Sequence, residues 1–274
     1  MTTTTTVTAE LPRTHTRAQR RPRLVSAEFL KLRKRRGLVL AALALTVIPM
    51  IIGYTVLLSI HAANPDKHGP AGGLENLSGS MDILSTLGVV AAILIGATLG
   101  AGDLGSGVFR ELVITGRSRL ALFAARIPAG LGLLLPLVAA GFAITATGSI
   151  VFAGSLDAPS ARLLLESAAW VGLVTGMALV LALGVSSVTG SRGTTIGIVL
   201  GWQIVAAPLL VEFGALGSLR EGLLEAATDR VEPAALVQGG ATVPMSLLTA
   251  ALVIAGWIVV PLAAGAWRTC RRDA

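Results

Sequence analysis

Six long stretches of the chain carry no acidic or basic residue, or almost none, and polar residues crowd the segments between them: 37–60, 81–101, 120–152, 168–188, 194–211 and 245–267. The first of these, Gly37 to Ile60, would be about 36 Å long as a helix at ~1.5 Å per residue, enough to cross a hydrocarbon layer of about 30 Å with some tilt. The pattern therefore predicts an all-α membrane protein with six transmembrane helices. The third run is too long for one straight span, and Arg126 and Pro128 near its start place its first turns at the interface.

Ahead of the first span, Val25, Phe29 and Leu32 fall on one helical face while Lys31 and the run Arg33, Lys34, Arg35 and Arg36 crowd the rest. This spacing predicts an interfacial amphipathic helix. Residues 1–23, rich in Thr, Pro and Arg without apolar periodicity, read as a disordered cytoplasmic tail, and 24–274 as the six-span domain. A cleavable signal peptide fits poorly, because 24 apolar residues exceed the roughly 7 to 15 of an h-region and no small-residue cleavage site follows.

Composition sharpens this picture. Of 274 residues, 53% are hydrophobic and only 14% charged, too few charges to clothe a soluble domain of this length. The net charge of +7 would raise the question of nucleic acid in a soluble chain, yet the placement of the charges matters more than their sum. With an even number of spans and the N-terminus inside, eighteen of the 22 basic residues fall on the inner side and ten of the 15 acidic ones on the outer. The positive-inside rule then puts both termini in the cytoplasm of a bacterial cell, with the chain multi-pass in its cytoplasmic membrane, and assigns Arg33 to Arg36 the role of an orientation signal touching anionic headgroups. Nucleic acid is not an expected partner.

Candidate chemistry is sparse. Cys270 is the single cysteine, and His15, His61 and His68 are too scattered for a metal site. None of the three lysines follows a glycine, so there is no phosphate-cradling loop, and neither a Gly-x-Ser-x-Gly elbow nor a His-Glu-x-x-His helix occurs. Neither a catalytic group nor a bound cofactor is expected on this chain. Within the spans, small residues recur at helical spacing at Gly96 and Gly100, Gly172 and Gly176, and along Gly193, Gly197 and Gly201. Such surfaces let helices approach closely in lipid, either inside one subunit or between two. Gln203 is the clearest intramembrane polar side chain, as interhelical glue or as pathway lining, and Asp82 lies nearer the outer end of the second span.

The inner loop 102–119, GDLGSGVFRELVITGRSR, is too long for a tight turn. Val108, Leu112 and Thr115 with Phe109 and Val113 form an apolar stripe stopped by Gly116, with Arg110 and Glu111 directed towards water or a partner. A short amphipathic helix there suits either docking or the headgroups.

Three features together resemble the ABC-2 type permease subunits of ATP-binding cassette transporters: the opening SAEFLKLRKRRG, the loop GDLGSGVFRELVITGRSRLALFAARI, and six spans with both ends inside. The resemblance implies that this loop is a cytoplasmic coupling helix meeting an ATPase subunit, a role it places on Asp103, Gly107, Phe109, Arg110 and Arg117, with Glu111 beside them. Many relatives have Glu and Gly-Thr where this chain has Asp103 and Gly107-Val108. It further implies a dimer with a second permease subunit around a central pathway, with ATP and Mg held by the partner ATPase, and an export function. A carrier or channel acting alone, or a membrane anchor or immunity component, is the competing class. The acidic outer loop 212–243 resembles the external helices that such proteins place between their last two spans; the alternative is a solvated loop.

Overall fold

The computed structural model describes residues 17–105, 118–237 and 243–271, with side chains described from 24 to 102, 118 to 237 and 243 to 271. Among these residues there is no strand. The chain forms α1 (Arg17–Lys34), α2 (Arg36–Thr46), α3 (Ile48–Ala63), α4 (Gly73–Gly105), α5 (Arg119–Val151), α6 (Ala161–Thr189), α7 (Arg192–Leu200), a π-helical turn (Gly201–Ala206), α8 (Ala207–Glu212), a 3-10 segment (Gly214–Gly222), α9 (Leu224–Arg230) and α10 (Leu247–Arg271).

Six helices are long and apolar enough to cross a membrane: Arg36–Ala63, Gly73–Gly102, Arg119–Val151, Ala161–Thr189, Arg192–Glu212 and Leu247–Arg271. The first is α2 and α3 joined at Val47 rather than one straight rod. Pro49 explains the break, since its ring cannot tolerate the carbonyl four residues back and it has no N–H to offer. The fifth is interrupted by the π-helical turn just before Pro208, for the same reason. The third, α5, runs unbroken through Pro128 and Pro136. Arg126 on it is 2% exposed and donates to the Gly100 carbonyl of α4 at 3.4 Å.

The two most enclosed spans, α4 and α6, form the centre of the bundle. Their backbones lie close because Gly96 and Gly100 face Leu179, Ala182, Leu183 and Ser186, and Ser186 Oγ donates across the seam to the Ala97 carbonyl at 2.7 Å. On the far side of α6, Gly184 faces Pro261 and Gly265 of α10. Gly190, in the left-handed conformation at φ 72°, ends α6 and turns the chain into α7. Against α5, Gly141 receives the Thr46 backbone and Gly148 the Tyr54 ring, whose hydroxyl donates to the Thr145 carbonyl at 3.0 Å and lies 2.7 Å from Ser149 Oγ.

Several other buried hydroxyls are satisfied within their own helix. Thr46, Ser167, Thr175, Ser187 and Thr269 each donate to the carbonyl four residues earlier, which lets a polar side chain sit in an apolar bundle without a distant partner. The apolar stripe of α1 packs onto the bundle, with Leu32 buried and the Phe29 ring beside Gly132 of α5.

Candidate functional site

A concavity lies where α4, α6, the fifth span and α9 meet, at the end of the bundle that holds the loop after α8. It encloses about 290 Å³. Helical periodicity builds each wall: α4 contributes Asp82, Ser85, Thr86 and Val89, α6 contributes Trp170 and Val174 one turn apart, and α9 contributes Glu225, Thr228 and Asp229, followed by Glu232. From the fifth span come Gln203, Ile204 and Pro208. Gln203 sits within the π-helical turn, whose wider winding alters which side chains face inward.

Side chains bonded to backbone carbonyls pin the cover of this cavity. Trp170 Nε1 donates to the Thr228 carbonyl at 3.2 Å, tying α9 to α6, and Ser78 Oγ donates to the Leu236 carbonyl at 2.6 Å, tying the following loop to α4. Trp257 of α10 reaches the Gly222 carbonyl at 3.0 Å while its ring lies 5.8 Å from that of Trp202. Leu224 is buried, whereas Leu219 in the preceding 3-10 segment is 74% exposed. The segment thus anchors through α9 and not through one continuous amphipathic helix.

Glu225 and Glu232 are half-buried beside the more exposed Asp229, and the partial loss of water around these neighbouring carboxyls makes them keep their protons longer. Glu225 is pushed up to about 7, first by burial and then by the charge of Asp229; Glu232 is likewise raised to about 7 by burial and by Asp229 and Asp82; Asp229 rises to about 6 through burial. Because these acids bind protons more tightly packed than loose, the packed cover holds protons that an opened one releases. Its stability is therefore full below about pH 4, near the ordinary carboxyl range, and falls as pH climbs through about 7. Hydrogen exchange of the amides in 224–231, corrected for intrinsic chemistry, is expected to show falling protection from pH 5 to pH 8; a flat profile would contradict it.

Two of the residues singled out in the sequence, Gln203 and Asp82, are brought together here. The acidic residues 225, 229 and 232 lie in the outer loop 212–243, read from the sequence as resembling external helices or else as a solvated loop, and their spacing of four and three is a helical signal. The glycines divide. Gly96 and Gly100 pack within the subunit, but a side chain at Gly193, Gly197 or Gly201 would meet nothing within 4 Å, so that ridge has no partner within the described chain. At the other end of the bundle Arg33, Lys34, Arg35 and Arg36 are all exposed, and the Arg35 guanidinium lies against Gly102 of α4. Of the inner-loop residues, Asp103 falls in the last turn of α4 with its side chain outside the described residues, as are Gly107, Phe109, Arg110, Glu111 and Arg117 altogether.

Among the described residues no three His, Cys, Asp or Glu side chains converge so as to hold a metal ion.

A family model described as ABC-2 family transporter protein matches residues 24–207, from the middle of α1 to the first residue of α8. No curated protein matches the chain. The match takes in the opening basic segment, the inner loop and the first four spans whole, leaving α9 and α10 beyond it. On that span of residues, together with its six membrane-length helices, the chain belongs to the ABC-2 family of transporter proteins.

Proposed function

We propose that this chain is the permease subunit of an ATP-binding cassette exporter in a bacterial cytoplasmic membrane, pairing with a second permease subunit and driven by a separate ATPase that binds ATP and Mg. Both termini and the loop between α4 and α5 face the cytoplasm. The family match carries this reading, and the packing of α4 supports the mechanical part of it. That helix leads directly into the inner loop, and at this end it touches the junction of α1 and α2 through Arg35, α5 through Arg126 and α6 through Ser186. A displacement of the loop by a closing ATPase would reach α5, α6 and that junction within two turns of α4. Helices packed this tightly shift as rigid bodies between discrete arrangements, which is how a local push becomes a change of access.

Within this scheme Asp103, Gly107, Phe109, Arg110, Glu111 and Arg117 form the coupling loop that meets the ATPase, with Phe109 as its apolar anchor. The unfilled ridge of Gly193, Gly197 and Gly201 is where a second permease subunit could approach closely.

Co-purification in detergent with a candidate partner ATPase tests the reading. Phe109→Ala with Arg110→Ala is expected to reduce recovery of the ATPase at least about tenfold, as loss of an interface anchor does, while the permease's own thermal unfolding is unchanged. Solute transport by the purified chain in vesicles with no ATPase present would sink it.

A further inference from the structure

Arg126 is the largest of the fully buried side chains among the described residues, and it carries a charge. A charged group inside a membrane-spanning bundle is costly and marks a place where the protein acts. Stability alone does not call for it, because apolar side chains of similar volume in place of buried ionic groups are often neutral or stabilising. The best-attested use of such a group is to fix the register of one element against another.

The surroundings of Arg126 suit that use. On α5, Leu122, Ala125 and Ala129 are buried with it, and a Cβ at Gly130 would lie 2.6 Å from Leu99 Cδ1 and 3.1 Å from Leu179 Cδ1. The start of α5 is therefore packed hard against α4 and α6. From here Arg126 Nη1 donates to the Gly100 carbonyl at 3.4 Å, about one and a half turns before α4 ends at Gly105. The positive charge meets α4 near its carboxyl end, the negative pole of the helix.

The other contacts of α4 at this level differ in kind. Arg35 is exposed, and Ser186 Oγ is a neutral donor to the Ala97 carbonyl. Surfaces of leucine and alanine let one helix shift along another at small cost, since each apolar neighbour is replaced by the next. A guanidinium cannot shift in that way: moved off its carbonyl, it lies as a charge against apolar groups.

We propose that Arg126 pins the axial register of α4 against α5, a positioning residue that makes α5 follow when the inner loop moves α4. The motion continues to α10, because Arg119 Nη1, at the first residue of α5, donates to the Cys270 carbonyl at 3.0 Å. The pin is a property of the isolated chain; its use in transport rests on the permease reading above.

Electron–electron distance measurements on the full chain in lipid nanodiscs test the pin. In a Cys270→Ser background, spin labels at Ile83→Cys and Leu120→Cys, both at exposed positions, sit towards opposite ends of α4 and α5 and report sliding along the axis. One narrow distance is expected with Arg126 in place. Arg126→Met should widen the distribution at least about twofold, as removal of a register-fixing group does. Arg126→Gln should do the same, and carries the test if the methionine variant does not fold. Arg126→Lys, which keeps the positive charge, and Ser186→Ala, which weakens the seam of α4 with α6, should both stay narrow. A merely structural role would lower the unfolding temperature and leave the distance in the folded protein unchanged. An unwidened distribution in both neutral variants, or equal widening in Ser186→Ala, overturns the proposal.

The same chain bound to its ATPase tests the use of the pin, with labels at Leu120→Cys and Arg192→Cys at the inner ends of α5 and α7. ATP with vanadate is expected to shift this distance in the parent and not in Arg126→Met or Arg126→Gln. A shift that survives in those variants overturns the part of Arg126 in transmission. No shift in the parent counts against the driven permease itself, and the first measurement still decides the pin.

Discussion

Gly96→Leu is expected to destabilise the bundle by about 3 kcal/mol or more, at or above the upper end of ordinary overpacking. At this position a Cβ alone would overlap the Leu179 carbonyl and lie 2.9 Å from Ala182 Cβ and 3.1 Å from the Leu183 nitrogen. All three are backbone or the first side-chain atom, which cannot swing away, so α4 and α6 must separate. Separation at this point also stretches the Ser186 to Ala97 hydrogen bond one turn along, and carries Gly100 away from Leu183 and Ser186. Hydrophobicity offers no compensation, since lipid is as apolar as leucine and close packing is what holds the helices together there. Gly197→Leu is the matched control. Nothing lies within 4 Å of its Cβ, so unfolding of the isolated subunit should change by no more than about 0.5 kcal/mol. Unfolding curves of both variants in detergent decide the matter: equal losses would mean that the α4 to α6 seam is not the close contact described.

Much of this architecture follows from features visible along the chain. Apolar runs of membrane length gave six helices, because in lipid a backbone must satisfy its own hydrogen bonds and a helix of about 20 residues is the shortest way across. Their ends were less legible. The second helix starts at Gly73 rather than near Met81 because Asn76 and Ser78, polar enough to suggest a loop, bond to the Pro70, Gly72 and Leu236 carbonyls and so sit within the helix. α1 begins at Arg17, in a stretch whose composition suggested no structure. Pro49 announced the break at Val47 in principle, yet composition alone does not say whether a proline bends a span, as here, or is absorbed, as Pro128 and Pro136 are in α5.

The site was legible in pieces. Gln203 and Asp82 stood out separately as costly polar groups in apolar surroundings, and that cost is the reason they share a cavity with other polar groups. Their meeting with Glu225, Asp229 and Glu232 depends on a chain reversal after α8 through a segment of irregular backbone, and no periodicity encodes that. The glycine pairs show the same limit: one spacing rule describes both Gly96 with Gly100, which are packed, and Gly193 with Gly197 and Gly201, which are open. Spacing identifies a surface that permits close approach, and only the packing says what comes close.

Trp170→Ala is expected to release the cover of the cavity while the bundle beneath it stays folded. The seven residues of α9 are far below the roughly 12 to 15 at which a helix holds itself together in water, so the element exists by virtue of what it packs on. Trp170, 8% exposed, is a principal support, offering a large buried face and an Nε1 that donates to Thr228. Truncating a buried tryptophan costs about 3 to 5 kcal/mol where the surroundings cannot collapse. Here the loss falls on a short element joined to the remainder by Leu224, Ala227 and the Arg230 bond to Met245, so it should appear as local opening rather than global unfolding. Amides of 224–231 should then exchange at least about a hundredfold faster, in line with a loss of about 3 kcal/mol, while those of α4 around Gly96 keep their protection. The decline of protection between pH 5 and pH 8 should flatten too, because Glu225 and Glu232 lose the burial that raises their proton affinity. Trp170→Phe separates the two contributions: it keeps most of the packed face and gives up one hydrogen bond, for about 1 kcal/mol. If α9 in Trp170→Ala exchanges no faster than in the parent, the cover is held by other contacts, and the cavity does not depend on the tryptophan that forms its apolar wall.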